Sequence, residues 1–91
     1  MKQVMVRVVG RVQGVFFRQS TKSLADDLGI SGWVRNCSDG SVEACLEGNG
    51  RDLALIINWL QEGPELADVE SVQLISEKVC TNLSEGFTIK V

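Results

Sequence analysis

The chain contains no histidine among its 91 residues, and this absence restricts the chemistry that it can perform. The Ser-His and Cys-His pairs that activate nucleophiles in many hydrolases are excluded, because both need an imidazole base. The three cysteines have no CxxC spacing, so a zinc site would need carboxylate or water ligands as well. We therefore expect free thiols at Cys37, Cys45 and Cys80, no metal and no cofactor, and any catalysis must proceed without an imidazole.

Long apolar runs are also missing, since no stretch approaches the roughly 20 residues that a membrane-spanning helix needs. The N-terminal segment carries Arg7 and has neither the apolar region nor the small-residue cleavage site of a signal peptide. With 44% hydrophobic and 23% charged residues, the composition is that of an ordinary globular protein. These features predict a cytoplasmic protein with a single domain, residues 1–91, because so short a chain does not divide.

Acidic residues are absent from the first part of the chain, and this asymmetry is more informative than the net charge of −3. No Asp or Glu precedes Asp26, whereas five of the nine basic residues do. These five are Lys2, Arg7, Arg11, Arg18 and Lys22. A locally cationic segment on an acidic protein predicts a focused anion site rather than a track for a nucleic acid.

Hydrophobic periodicity predicts the element order β-α-β-β-α-β with a short final strand. An amphipathic helix of about ten residues begins near Arg18 and ends at Gly29, where a glycine is typical of the position after a helix. A second helix begins after Asn49-Gly50 and stops at Gly63-Pro64. The predicted strands are Val4–Val9, Ile30–Asn36, Ser41–Gly48, Val69–Ser76 and Gly86–Val91.

This order predicts an α+β fold, the ferredoxin-like (split β-α-β) sandwich. Right-handed crossovers place two helices on one face of an antiparallel sheet of four to five strands. The final strand is expected to pair with the fourth strand or to extend it. The fold alone does not indicate a function, because it supports RNA binders, metabolite sensors, metallochaperones and enzymes.

The segment GRVQGVFFR, between the first strand and the first helix, combines two glycines with an arginine at its end. Gly10 and Gly14 permit positive φ and the close approach of a ligand to backbone amides, and a helix N-terminus favours an anion. Arg18 can donate two hydrogen bonds to phosphate oxygens. The spacing lacks the GKS/T ending of a Walker A loop and predicts another kind of phosphate cradle, with Phe16 and Phe17 anchoring the loop to the core.

Simpler interpretations of these residues are also open. Glycines after a strand are typical of a turn, and Asn36, before Asp39-Gly40, is typical of a hairpin residue. In a β-α-β-β topology, however, the strand ends and the first loop can lie close together. Asn36 could then reach a water molecule beside an anion that Arg18 holds.

Two segments in order give the chain a close resemblance to the acylphosphatase family, small hydrolases with the ferredoxin-like fold. The segments are GRVQGVFFR at 10–18 and GWVRN at 32–36 with DGSV at 39–42, and the resemblance covers nearly the whole chain, including NWL at 58–60. It implies that Arg18 is the essential phosphate-binding arginine and Asn36 the essential asparagine. It also implies a phosphate-binding loop at Gly10–Phe17, whose donors are backbone amides. These amides belong to Gln13, Gly14, Val15, Phe16 and Phe17.

The resemblance further implies hydrolysis of the carboxyl-phosphate bond of a small-molecule acyl phosphate, without a metal. This chemistry suits a chain without histidine, because a carboxylate whose conjugate acid has a pKa of roughly 4 departs without a general acid. An amide has no useful protonation, so Asn36 would orient the attacking water, and we hypothesise that a substrate phosphate oxygen accepts the proton.

The alternative is a non-catalytic regulatory module that binds phosphate or carbamoyl phosphate on the same fold. The chain of 91 residues, taken as a free-standing unit, favours the enzyme. We expect a monomer that binds neither nucleic acid nor membrane, because the net charge is negative and no RNA-recognition motif is present.

Overall fold

The computed structural model describes all residues, 1–91, and contains the predicted elements in the predicted order. The fourth strand is longer than expected, since it ends at Val79 rather than at Ser76. The elements are β1 (Lys2–Arg11), α1 (Phe17–Leu28), β2 (Ser31–Asn36), β3 (Val42–Gly48), α2 (Gly50–Leu60), β4 (Asp68–Val79) and β5 (Phe87–Ile89). Neither helix is long and apolar enough to cross a membrane.

The five strands form one sheet in the order β4-β1-β3-β2-β5. The first four are antiparallel to their neighbours, as predicted, whereas β5 pairs parallel to β2 and makes the sheet mixed. The expectation that the last strand pairs with or extends the fourth was therefore wrong, because β5 lies at the opposite edge. There the amide of Lys90 donates to the carbonyl of Val34, and Phe87 is buried in the core.

Both helices cover the same face of the sheet and enclose a single hydrophobic core. Alternate residues of β1 point into this core, as the period of two in a strand requires. Helices α1 and α2 each contribute one stripe of buried residues. The buried set from these three elements is Val4, Val6, Val8, Phe17, Thr21, Ala25, Leu53, Ile56 and Leu60.

Strand β1 lies between β3 and β4, so the loop that follows it leaves the sheet from a rigid support. Gly10 lies within this strand with φ 133°, and a Cβ there would collide with the carbonyl oxygen of Asp68 on β4. The glycine therefore serves the close approach of two strands rather than of a ligand. The connecting loop is residues 12–16, shorter than the sequence suggested.

The ends of β1 and β2 lie at the same edge of the sheet. Val42 on β3 pairs with Val8 on β1 and with Asn36 on β2, so the three residues form one row across the strands. Since neighbouring strands are about 4.8 Å apart, Asn36 lies roughly 10 Å from Val8, which is three residues before the end of β1. The topology thus places the two signature segments at the same end of the sheet.

Candidate active site

The loop at 12–16 exposes backbone amides between two buried anchors. Val12 and Val15 are 1% and 3% exposed and hold the loop against the core. Between and beside them, the amides of Gln13, Gly14, Val15 and Phe16 donate no hydrogen bond to the protein. Gly14 and Phe16 have φ of 75° and 64°, and such left-handed residues within a turn are typical of nests that bind anions.

The N-terminus of α1 continues this row of unpaired amides. No side chain caps the helix and its first turn contains no acidic residue, although both features are common at this position. Arg18 occupies the first turn instead, where a positive charge opposes the helix dipole. A helix N-terminus of this kind favours a bound anion, which would satisfy the amides and the arginine together.

Arg18 is half-buried and forms no salt bridge or hydrogen bond with the protein. Of the four other cations in the acid-free segment, Arg7 pairs with Glu43 and Lys22 with Asp26, whereas Lys2 and Arg11 are exposed and unpaired. The Arg18 side chain lines a cleft of about 410 Å³ next to the loop. The other lining residues are Val12, Gly14, Phe16, Phe17, Gln19 and Ile89.

Asn36 is half-buried at the end of β2, and its side-chain oxygen Oδ1 is fully buried without a hydrogen-bond partner. A buried acceptor left in this state costs about 1–3 kcal/mol, so such groups are usually satisfied by protein or water. The protein therefore leaves the hydrogen-bonding capacity of this side-chain amide unused, although Oδ1 itself has no surface open to water in this conformation.

The side chain of Gln13 connects the loop to the turn that follows Asn36. Its Nε2 donates to the carbonyl oxygens of Cys37 and Ser41, both at 2.8 Å. From the sequence, only the backbone amide of Gln13 was expected to act, and this role of its side chain was not predicted. The sequence offered one indication of this role. In RVQGV a long side chain with an amide group stands between two valines, and a turn exposed to solvent does not require such a residue.

The turn between β2 and β3 is fixed by its own hydrogen bonds. Asp39 accepts from the hydroxyl and the amide of Ser41, at 2.6 and 2.9 Å, and these bonds lower the pKa of its carboxyl. The amide of Cys37 donates to the carbonyl of Ser41 across the turn. Asp39 is thus a structural carboxylate that stays ionised and does not supply a base.

Glu43 neutralises two arginines on the sheet face that the helices leave uncovered. It accepts from Arg35 at 2.7 Å and from Arg7 at 3.2 Å, and these contacts lower its pKa although burial opposes the shift. Arg35 also lies over the ring of Trp33, 5.3 Å from its centroid. These two arginines therefore serve the sheet, whereas Arg18 forms no ion pair and lines the cleft beside the loop.

The two adjacent phenylalanines have opposite environments. Phe17 is 1% exposed and packs against Trp59 with ring centroids 5.8 Å apart, which confirms its predicted place in the core. Phe16 is 67% exposed, so the prediction that it anchors the loop to the core was wrong. Its left-handed backbone, unfavourable for a residue with a Cβ by roughly 1–2 kcal/mol, turns the side chain outwards.

Comparison with known proteins finds similar sequences and structures over nearly the whole chain. The acylphosphatase family model matches residues 4–89. The acylphosphatase of Rubrobacter xylanophilus is 47% identical over 89 residues, covering 98% of this chain and 80% of the relative. The crystal structure of acylphosphatase from Bacillus subtilis has a TM-score of 0.94 at 32% identity, with both chains fully covered. An acylphosphatase structure from Coxiella burnetii has a TM-score of 0.89 at 38% identity, covering 98% of this chain and 92% of that one.

Proposed function

The chain belongs to the acylphosphatase family and hydrolyses the carboxyl-phosphate bond of acyl phosphates, and we propose how its residues share this work. The amides of residues 13–17 and the guanidinium of Arg18 hold the phosphoryl group, and Asn36 positions the attacking water. The observation that carries this proposal is the unpaired Arg18 beside consecutive unpaired amides at an uncapped helix N-terminus.

Binding of the phosphoryl group is electrostatic. In the transition state the charge is spread over the three equatorial oxygens, and donors that are already in place stabilise it without reorganisation. Arg18 donates two of these hydrogen bonds as a planar fork, and each charged hydrogen bond contributes about 1.5–3 kcal/mol. The guanidinium and the amides thus supply the charge stabilisation that metal ions provide in many phosphoryl-transfer sites.

Attack needs a water molecule in line with the departing carboxylate. The side-chain amide of Asn36, which forms no hydrogen bond to the protein, binds this water and fixes its direction. Because an amide does not take up the proton, a phosphate oxygen of the substrate accepts it. The carboxylate leaves unprotonated, since its conjugate acid has a pKa of roughly 4.

The alternative of a non-catalytic phosphate-binding module is not favoured. The relatives from Rubrobacter, Bacillus and Coxiella are all named acylphosphatases, and a module would need neither Asn36 nor an acceptor for water. A module would still bind phosphate through Arg18 and the amides. Turnover of an acyl phosphate therefore distinguishes the two functions better than phosphate binding does.

Replacement of Arg18 by alanine tests the phosphate site. With benzoyl phosphate and excess EDTA, we expect Arg18→Ala to lower kcat/KM by roughly 10³-fold or more and to abolish inhibition by inorganic phosphate. The matched control is Arg51→Ala, because Arg51 is exposed on α2 and forms no salt bridge. Retention of phosphate inhibition in Arg18→Ala would contradict the assignment.

Replacement of Asn36 tests the position of the water. We expect Asn36→Ala to lower kcat by about 10²–10³-fold with a much smaller change in KM, because the lost contact acts mainly in the transition state. Asn58→Ala, on the exposed side of α2, is the control. Wild-type kcat in Asn36→Ala would refute the role, and an enzyme group titrating near neutral pH in the kcat profile would refute proton transfer to the substrate.

We also propose the oligomeric state of the chain, its compartment and its lack of a nucleic-acid partner. Residues 1–91 act as one domain that is monomeric, cytoplasmic and without a nucleic-acid partner. All three cysteines are free, which suits a reducing compartment, and the net charge of −3 opposes binding to a polyanion.

The irregular pairing of the edge strand β4 favours a monomer over a dimer. Its pairing with β1 shifts register between Met5 and Val6 and again between Val9 and Gly10. Such irregularities twist an edge strand and hinder pairing with a second copy. Sedimentation should return a mass of 9.9 kDa, and a stable species of twice that mass would contradict the proposal.

A further inference from the structure

The cleft beside Arg18 is larger and more apolar than a phosphate site alone requires. Its volume of about 410 Å³ lies within the range of small-molecule pockets, which is roughly 300–1,000 Å³. Gly14 and Arg18 belong to the phosphate cradle. Phe16 and Ile89 also line the cleft, and both are apolar residues with exposed surface.

Phe16 has a conformation and an exposure that folding does not explain. It is the one non-glycine residue of the chain with positive φ, and its ring is 67% exposed. A glycine would adopt the same backbone without strain, and an exposed ring adds nothing to the core. Residues with a strained backbone are concentrated at active sites and ligand-binding sites, where the conformation contributes to function.

Ile89 comes from a different element and gives the cleft a second apolar wall. It lies on β5, pairs in register with Val34 and packs partly against the core. The hydrogen bond from the amide of Lys90 to the carbonyl of Val34 holds the end of this strand in place. The wall is therefore rigid, whereas Phe16 projects from the loop itself.

We propose that Phe16 and Ile89 form a subsite for the acyl group and that it selects apolar, preferably flat or aromatic, acyl groups. This inference rests on the proposed function, in which Arg18 holds the phosphoryl end of the same substrate. The acyl carbon is separated from the phosphorus by a single oxygen, so the acyl group begins at the edge of the cradle, where the cleft continues.

The charge of the lining supports this choice of substrate. Arg18 is the only cation among the lining residues, and the phosphoryl group occupies it. An acyl group with its own carboxylate would find no partner there and would be repelled by the neighbouring phosphoryl charge. Burying an apolar group against Phe16 and Ile89 instead removes hydrophobic surface from water, and an aromatic ring adds a favourable contact with the ring of Phe16.

The test compares kcat/KM for benzoyl phosphate and acetyl phosphate in the wild type and in Phe16→Gly. We expect the benzoyl-to-acetyl ratio to fall about tenfold in Phe16→Gly, equivalent to about 1.4 kcal/mol, mainly through KM for benzoyl phosphate. Phe16→Tyr retains the ring and should retain the ratio. The control is Leu55→Ala, which removes a side chain that is 51% exposed on α2, away from the cleft lining.

Two outcomes would overturn the subsite. An unchanged ratio in Phe16→Gly would show that the ring does not contact the acyl group, and an equal loss for both substrates would show that the variant only distorts the loop. Arg18→Ala is assayed in parallel, because it tests the phosphate cradle independently of the acyl subsite. Wild-type rates in Arg18→Ala would refute the cradle, whatever the result for Phe16.

Discussion

Gln13 illustrates how one residue links the two parts of the site. Its backbone amide belongs to the unpaired row of the loop, while its side chain donates to Cys37 and Ser41 in the turn after β2. Asn36 directly precedes that turn. The side chain of Gln13 therefore sets the distance between the phosphate loop and the residue that we propose to orient the water, which makes it a positioning residue.

Removal of the side-chain amide of Gln13 should loosen the connection between the phosphate loop and the turn that follows Asn36. In Gln13→Met the carbonyls of Cys37 and Ser41 each lose one donor and keep a backbone amide as the other, so we expect a loss of about 0.5–1.5 kcal/mol per hydrogen bond in the free energy of unfolding. Since Asn36 loses its support while Arg18 keeps its own, kcat should fall about tenfold or more while inhibition by phosphate changes little. Steady-state kinetics and thermal melts provide the measurement.

The control for this variant is Gln73→Ala, because Gln73 is exposed on β4. A purely structural role of Gln13 would lower stability and leave the ratio of kcat to the phosphate inhibition constant unchanged. That result would contradict the positioning role.

At the scale of the elements, the two helix N-termini differ in a way that matches their roles. Helix α2 is capped by Asn49, whose side chain accepts from the amide of Asp52, and Asp52 places a negative charge in the first turn. Helix α1 has neither feature and begins with Arg18 in its first turn. The start of α1 is thus less stable without an anion than with one.

Inorganic phosphate should therefore stabilise the protein through α1. At a hundredfold excess over its Kd, we expect about 2.7 kcal/mol of stabilisation, which raises Tm by about 4–8 °C per kcal/mol for a domain of this size. Chloride at the same ionic strength should have little effect. The shift should disappear in Arg18→Ala, and a full shift in that variant would place the bound phosphate elsewhere.

At the scale of the whole molecule, two buried carboxylates on the central strand β3 connect the sheet. Glu43 joins β1 and β2 through Arg7 and Arg35. Glu47 accepts from the side chain of Gln3 on β1 at 2.7 Å and from the amide of Ser84, before β5, at 2.9 Å. Burial acts to raise the pKa of Glu47, but these hydrogen bonds outweigh it and lower the pKa.

The lowered pKa of both carboxyls predicts loss of stability in acid. The unfolded chain takes up protons near its ordinary glutamate pKa of about 4.3, above the folded values, so the stabilisation is complete above that pH. It is lost as pH falls through the lower folded pKa values. Glu43→Gln should flatten this dependence in urea melts between roughly pH 6 and 3, whereas Glu70→Gln, exposed on β4, should not. An unchanged slope in Glu43→Gln would refute the contribution.

The sequence by itself determined the order of the elements, the four-stranded antiparallel part of the sheet and the family. Alternating and helical periods are local, and glycines such as Gly29 mark the ends of elements without reference to the rest of the chain. The residue types of Arg18 and Asn36 also indicated their chemistry. Their roles stay proposals until the variants are measured.

Only the tertiary structure decided the place of β5, the contacts of Gln13 and the exposure of Phe16. Strand pairing and side-chain partners depend on residues far apart in the chain, and no local pattern of β5 distinguishes one sheet edge from the other. The outward position of Phe16 depends on the sign of a single φ, which the adjacent phenylalanines of the sequence do not reveal. Local residue patterns thus specify the helices and strands that surround the cleft. The shape of the cleft itself depends on these long-range contacts and on the backbone angle of Phe16.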